Sequence, residues 1–188
     1  FVRLTLADVK EGEIDNALEY VKNTVIPSYD GIPGLLGLAA CETHDGRFMA
    51  WSTWANEEDK TTSIDKFNQA LAGAADMLDG QPEVMEGPMV AGQQYIAVSK
   101  DGEDGFFARF VFGGGTQEGK TYDDVAEFMN NTVYPAYENV EGIFASAACK
   151  VGEDSGFSFN FWTDHDAAHA ASDVIASIVS DAVANLIK

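Results

Sequence analysis

The chain has 188 residues, 46% of them apolar, an ordinary fraction for a globular protein. Thirty-one acidic residues against eleven basic ones give a net charge of −20, which repels phosphate backbones and anionic lipid surfaces and argues against nucleic acid and membrane partners. No apolar run reaches the ~18 residues of a membrane span and Phe1-Val2-Arg3-Leu4 does not read as a signal peptide, so a cytoplasmic protein is expected.

Val2 to Ala7 alternates and predicts a strand. Glu13 to Tyr29 predicts a helix, with Ile14, Ala17, Val21 and Val25 at helical spacing and Pro27 and Asp30-Gly31 ending it. Leu35–Thr43 and Phe48–Ala55 predict a hairpin around His44-Asp45-Gly46-Arg47, since Asp-Gly tolerates positive φ. Glu57 to Leu78 predicts a second helix, and Met89 to Ser99 a strand that closes the unit.

The order then repeats. Residues 23–41, NTVIPSYDGIPGLLGLAAC, match residues 131–149, NTVYPAYENVEGIFASAAC, at an offset of 108 that also carries Trp54 onto Trp162. Phe106–Phe112 predicts a strand, Thr121–Tyr137 a helix, Ile143–Val151 and Phe157–Thr163 a hairpin, and His165–Ile187 a last helix with no strand after it. Lys100 to Gly105 is polar, contains glycine and reads as the linker. The pattern predicts an α+β chain of two fused ferredoxin-like βαββαβ units, 1–99 and 106–188, the second lacking its last strand. A sheet with helices on one face needs a cover on the other, so the two sheets are expected to close into an intramolecular α/β barrel. The missing strand leaves an edge through which a homodimer is expected to pair.

Ile32-Pro33-Gly34-Leu35 before the second strand, and Trp51-Ser52-Thr53-Trp54-Ala55-Asn56-Glu57-Glu58 running from the third strand into a helix, resemble the antibiotic biosynthesis monooxygenase domain of the dimeric α/β-barrel superfamily. The resemblance covers both copies. It implies a small-molecule ligand and an enzyme, a cofactor-independent oxygenase acting on an aromatic or polyketide-like substrate. The same superfamily holds haem-degrading enzymes and proteins of no known activity, so a non-catalytic ligand-binding or stress-related protein and a haem-binding protein stand as alternatives. By resemblance Trp54 and Trp162 line a cavity between sheet and helices; by their chemistry they serve equally as core residues. The family's helical His about ten residues past that Trp is absent from copy one, while copy two has His169 seven residues past Trp162.

Arg3 and Arg109 hold the same place in the first strand of each copy. Alternation sets Leu4, Leu6, Phe110 and Phe112 toward the helices and the two arginines on the opposite face, as structural ion pairs or as anchors for an anionic or carbonyl-bearing ligand. Arg109 and His169 are the expected catalytic residues, with Trp162, Trp54, Arg3 and Tyr137 binding substrate. Tyr29 and Tyr137 end equivalent helices and either present a phenol to a cavity or staple the helix end. His165 and His169, at i and i+4, have the spacing to chelate a divalent metal but lack the Glu of a metalloprotease helix; no cofactor is expected. Gly114 to Thr121 fits the phosphate-loop pattern between a strand and a helix, but the repeat assigns those elements to a split βαβ unit, so a turn is expected there. Cys41 and Cys149, equivalent and in apolar runs, read as buried thiols.

Overall fold

The computed structural model describes residues 1–95, 106–153 and 155–188. The chain divides into two compact units, Phe1–Pro88 and Met89–Lys188. No helix among the described residues is long and apolar enough to cross a membrane.

In the first unit the strands β1 (Val2–Ala7), β2 (Leu35–Glu42), β3 (Phe48–Trp54) and β4 (Glu83–Gly87) form an antiparallel sheet in the order β2-β3-β1-β4. This is the ferredoxin-like arrangement the repeat predicts. The first helical stretch is α1 (Ile14–Tyr20), a π-helical turn over Val21–Val25, and α2 (Ile26–Ser28). The second is α3 (Glu57–Thr62) and α4 (Ile64–Ala74), broken at Ser63. Ala17, Val21, Val25 and Tyr29 from the helices pack with Ala7, Phe48, Trp54 and Leu78 as the core.

The second unit has β5 (Met89–Gln94), β6 (Phe107–Gly113), β7 (Ile143–Lys150) and β8 (Gly156–Trp162) in the order β5-β7-β8-β6. Its helices are α5 (Tyr122–Phe128), a π-helical turn over Met129–Val133, α6 (Tyr134–Tyr137), α7 (His165–Ala170) and α8 (Ser172–Asn185). Met129, Val133, Tyr137, Ile143, Trp162 and Ile175 centre its core. As expected, among the described residues no strand follows the last long helix, α8.

The same residues build the same irregularities twice. Pro27 and Pro135 lie in the first turn of the short helices after each π-helical turn. A proline inside a helix removes one N–H donor and crowds the carbonyl four residues back, and widening the preceding turn relieves that crowding. Gly34 and Gly142 also correspond. Both have positive φ, both accept a backbone hydrogen bond from the strand-three exit (Ala55 N at 2.8 Å, Thr163 N at 2.8 Å), and a Cβ on either would strike Asp59 or Ala167.

Two readings of the sequence need correction. The closing strand of the first unit is not Met89–Ser99. That role falls to Glu83–Gly87, paired with β1, whereas Met89–Gln94 pairs with β7 in the second unit. Pro88 between them has no N–H to continue a ladder, so the run is cut there. The rest of the predicted strand, 96–99, and the linker 100–105 lie outside the described residues. The phase of the first strands is also reversed, and both arginines lie on the helix-covered face. Arg3 stacks on Phe67 of α4, with Cζ 4.1 Å from the ring centroid, and Arg109 donates to a carbonyl of α7. Phe110 and Phe112 instead join Phe157 and Phe159 in an aromatic cluster. Strand β1 is buried at every position, so alternation carries no sign of which face the helices cover.

Candidate functional site

Each unit has a cavity between its sheet and its helices, and each π-helical turn lines one: Val21 and Val25 in the first unit, Met129 and Val133 in the second. Such turns break the ordinary register and redirect side chains, which is why they recur at functional sites. The cavity of the second unit has a volume of about 110 Å³ and walls that include Val125, Phe128, Ile175 and Val179. Part of its polar lining comes from one row across three strands, and Ser158, Thr116, Tyr122 and Tyr137 supply the rest. Register pairs Arg109 of β6 with Asn160 of β8, and Asn160 with Ser146 of β7, so the three side chains share a face. Ser146 and Asn160 line the cavity and are buried. The Ser146 Oγ has no hydrogen-bond partner among the described residues. Tyr137, from the end of α6, lines the same wall. Burial pushes its phenol up to about 12, against the opposing pull of the Arg109 charge and a side-chain hydrogen bond with Asn160. Arg109 itself is held by an Nη2 bond of 3.0 Å to the carbonyl oxygen of Ala168.

The site residues expected from sequence separate on this map. Tyr137 lines the cavity and Arg109 adjoins it through the strand row. Trp54 and Trp162 are 1% and 0% exposed and belong to the two cores, neither of them among the residues lining a cavity. The Trp54 Nε1 donates to Ser52 Oγ at 2.9 Å, while the Trp162 Nε1 is unpartnered among the described residues. Trp162 still supports the site, because its ring meets Tyr137 edge-on at 6.1 Å. His169 is exposed on α7, its ring stacked 6.1 Å from that of His165, and neither histidine lines a cavity. The catalytic place expected for His169 therefore lies outside the cavity. Asp164 caps α7 by accepting from Ala167 N at 2.8 Å, and among the described residues no group of three His, Cys, Asp or Glu is arranged to hold a metal. Neither cavity is lined by a histidine that could ligate a haem iron. The glycine run at 114–121 is a turn whose Lys120 pairs with Asp124 at 3.7 Å, and Thr121 forms a capping box with the same Asp124.

Sequence reasoning missed Asn160 and Ser146. Asn160 sits two residues before Trp162, where copy one has Ser52, and Ser146 replaces Leu38. These polar-for-smaller and polar-for-apolar differences between aligned copies are the signal that marks the second cavity. Cys149 also lines it, and burial pushes that thiol up to about 12.

Comparison with known proteins places the fold. No family model matches the chain. An uncharacterized protein of Mycobacterium tuberculosis, found in two strains, is 24% identical over 159 residues, spanning 83% of this chain and 67% of the relative. A candidate monooxygenase of Fusobacterium nucleatum superimposes with a TM-score of 0.76 at 14% identity, over 98% of this chain and 86% of that one. One of Lactobacillus acidophilus gives 0.71 at 9% identity, over 98% and 88%. An anthrone oxidase-like protein gives 0.61 at 13% identity, over 92% and 76%. At these identities what is shared is the fold, and over nearly its whole length this chain has the ferredoxin-like fold of those monooxygenase-like proteins.

Proposed function

We propose that the chain is a small-molecule enzyme of the monooxygenase-like type, working without a resident cofactor on an aromatic or polyketide-like compound in the cavity of the second unit. The observation that carries the reading is the convergence of Asn160, Ser146 and Tyr137, backed by Arg109, on one wall of a mainly apolar cavity. Such a wall holds a carbonyl oxygen and stabilises the enolate that forms from it. The reaction is the conversion of a CH₂ beside a conjugated carbonyl into a new carbonyl: R₂CH₂ + O₂ → R₂C=O + H₂O. The carbon acid loses a proton to solvent, its carbanion donates electrons to dioxygen, a C–O bond forms, and the resulting hydroperoxide expels water. No external reductant is needed.

No histidine or carboxylate lines the cavity, and Tyr137 and Cys149 are both pushed up to about 12. The substrate must then be acidic in its own right, its anion favoured by the polar row rather than drawn off by a strong base. The same shortage of a base favours a second reading, a non-catalytic small-ligand-binding protein using the same cavity. An oxygen electrode separates the two with anthrone as the probe. Protein-dependent oxygen uptake that falls in Asn160→Leu and Ser146→Ala supports the enzyme. Saturable binding without uptake supports the binding protein, and absence of both removes the cavity from consideration.

A further inference from the structure

The first unit is charged differently from the second, and the difference lies beside its own cavity. Arg3 is 3% exposed, and its Nε donates to Glu86 Oε1 at 2.5 Å. The other oxygen of Glu86 is taken by Lys60 Nζ at 2.6 Å, and that side chain is 9% exposed. Two buried cations thus share one carboxylate, and the cluster carries an excess charge of +1. Tyr29 does not balance it: burial raises its pKa, with Arg3 pulling the other way, and the phenol stays neutral near pH 7. Nη1 and Nη2 of Arg3 have no hydrogen-bond partner among the described residues. A buried guanidinium with two idle nitrogens and an uncompensated charge is costly unless something pairs with it.

The sister unit shows that this is not a requirement of the fold. At the position of Lys60 it has Ala168, whose carbonyl oxygen accepts from Arg109, and among the described residues β6 is an edge strand with no neighbour in the place of β4 and its Glu86. The first unit has added a cation where the second has a methyl group.

Arg3 lines the cavity of the first unit, a space of about 70 Å³ whose walls include Val21, Val25, Leu38, Phe67 and Leu71. We infer that this cavity is a binding site for a small organic carboxylate with a short apolar tail, its oxygens on Nη1 and Nη2 of Arg3 and its tail against the π-helical turn. A guanidinium edge matches a carboxylate in a two-point contact. A single negative charge neutralises the excess, whereas a phosphate dianion would overbalance it in an apolar space. Both nitrogens are closed off from water, and the Phe67 ring lies on the guanidinium face. The anion therefore enters as Phe67 swings aside. The protein's net charge of −20 opposes the approach from a distance, but salt screens that field beyond ~10 Å at 0.1 M.

The experiment is calorimetric titration of the full chain at pH 7 with butyrate, butyramide, butanol and inorganic phosphate. Butyrate is expected to bind saturably, and its uncharged amide and alcohol to bind about 10- to 100-fold more weakly, the worth of hydrogen bonds to a charged group. Arg3→Met is expected to abolish butyrate binding. Should that variant fail to fold, Ala70→Leu fills the cavity without touching the charged cluster and is expected to lose binding as well, while Phe67→Ala speeds association. Equal binding of butyrate and butyramide, phosphate binding as tight as butyrate, or full butyrate affinity in folded Arg3→Met or Ala70→Leu would each overturn the assignment. None of these outcomes bears on the oxygen uptake assigned to the second unit.

Discussion

Replacing Glu86 by Gln isolates the energetics of the buried cluster. The substitution keeps the side-chain shape and removes the carboxylate that pairs with both Arg3 and Lys60. Breaking a buried pair by deleting one partner costs 3–5 kcal/mol, and here two cations are stranded; because Glu86 is itself 30% exposed, about 3 kcal/mol is expected. Urea unfolding followed by tryptophan fluorescence measures it, in a Trp162→Phe background so that Trp51 and Trp54 of the first unit alone report. Lys60→Met, which leaves a one-to-one Arg3–Glu86 pair, should cost much less than Glu86→Gln. Added to Glu86→Gln, it should restore part of the loss, because a repelling cation has gone. The pH profile gives a second check. Burial pushes the Glu86 carboxyl upward, but hydrogen bonds from Lys60 and Arg3 and their charges outweigh it and hold the group below the usual carboxylate range. Its stabilisation is thus complete above the ordinary glutamate pKa of about 4.3 and is lost as pH falls through the lower folded value. Glu86→Gln should remove that acid limb. A Glu86→Gln protein within about 0.5 kcal/mol of wild type, or one with an unchanged acid limb, would refute the reasoning.

Three further outcomes are expected. Gly142→Ala should destabilise the second unit by about 2 kcal/mol or more, since φ is +81° and the new Cβ would lie 2.5 Å from that of Ala167; the shift in urea midpoint read from Trp162 measures it. Asp164→Ala should cost about 1 kcal/mol by stripping the cap of α7, read the same way. Cys41 and Cys149 are free thiols pushed up by burial to about 11 and about 12, so both should resist a disulfide-exchange reagent at pH 8 in the native protein and react fully in concentrated guanidinium.

The sequence repeat located the strands and helices well, because each of its local signals occurs twice and the copies check one another. It placed the hairpins and the Asp45-Gly46 turn. What it could not supply was the side of the sheet on which a residue lies when both sides are buried, as in β1, where every one of the six positions is inside. Nor could it assign Met89–Gln94 to the second unit, because strand pairing across distant segments leaves little trace in local pattern. The breaks at Ser63 and Ala171 fall inside stretches that read as single helices, because neither position carries the Gly or Pro that would mark a stop. In the site, Tyr137 and Arg109 were legible as repeated residues. Asn160 and Ser146 were not, because repetition marks what the copies share and these two positions are where they differ.

The placement of Met89–Gln94 beside β7 means that what was inherited as a module and what packs as one have different starting points. A fragment cut at the sequence repeat, beginning at residue 106, would leave the outer edge of Ile143–Lys150 bare from Ala145 to Cys149, a template for unwanted strand addition. A fragment beginning at Met89 would carry its own edge strand. Any attempt to express, shuffle or circularly permute the two halves should therefore sever the chain at Pro88, ahead of the segment that resembles a tail of the first copy and serves as the head of the second.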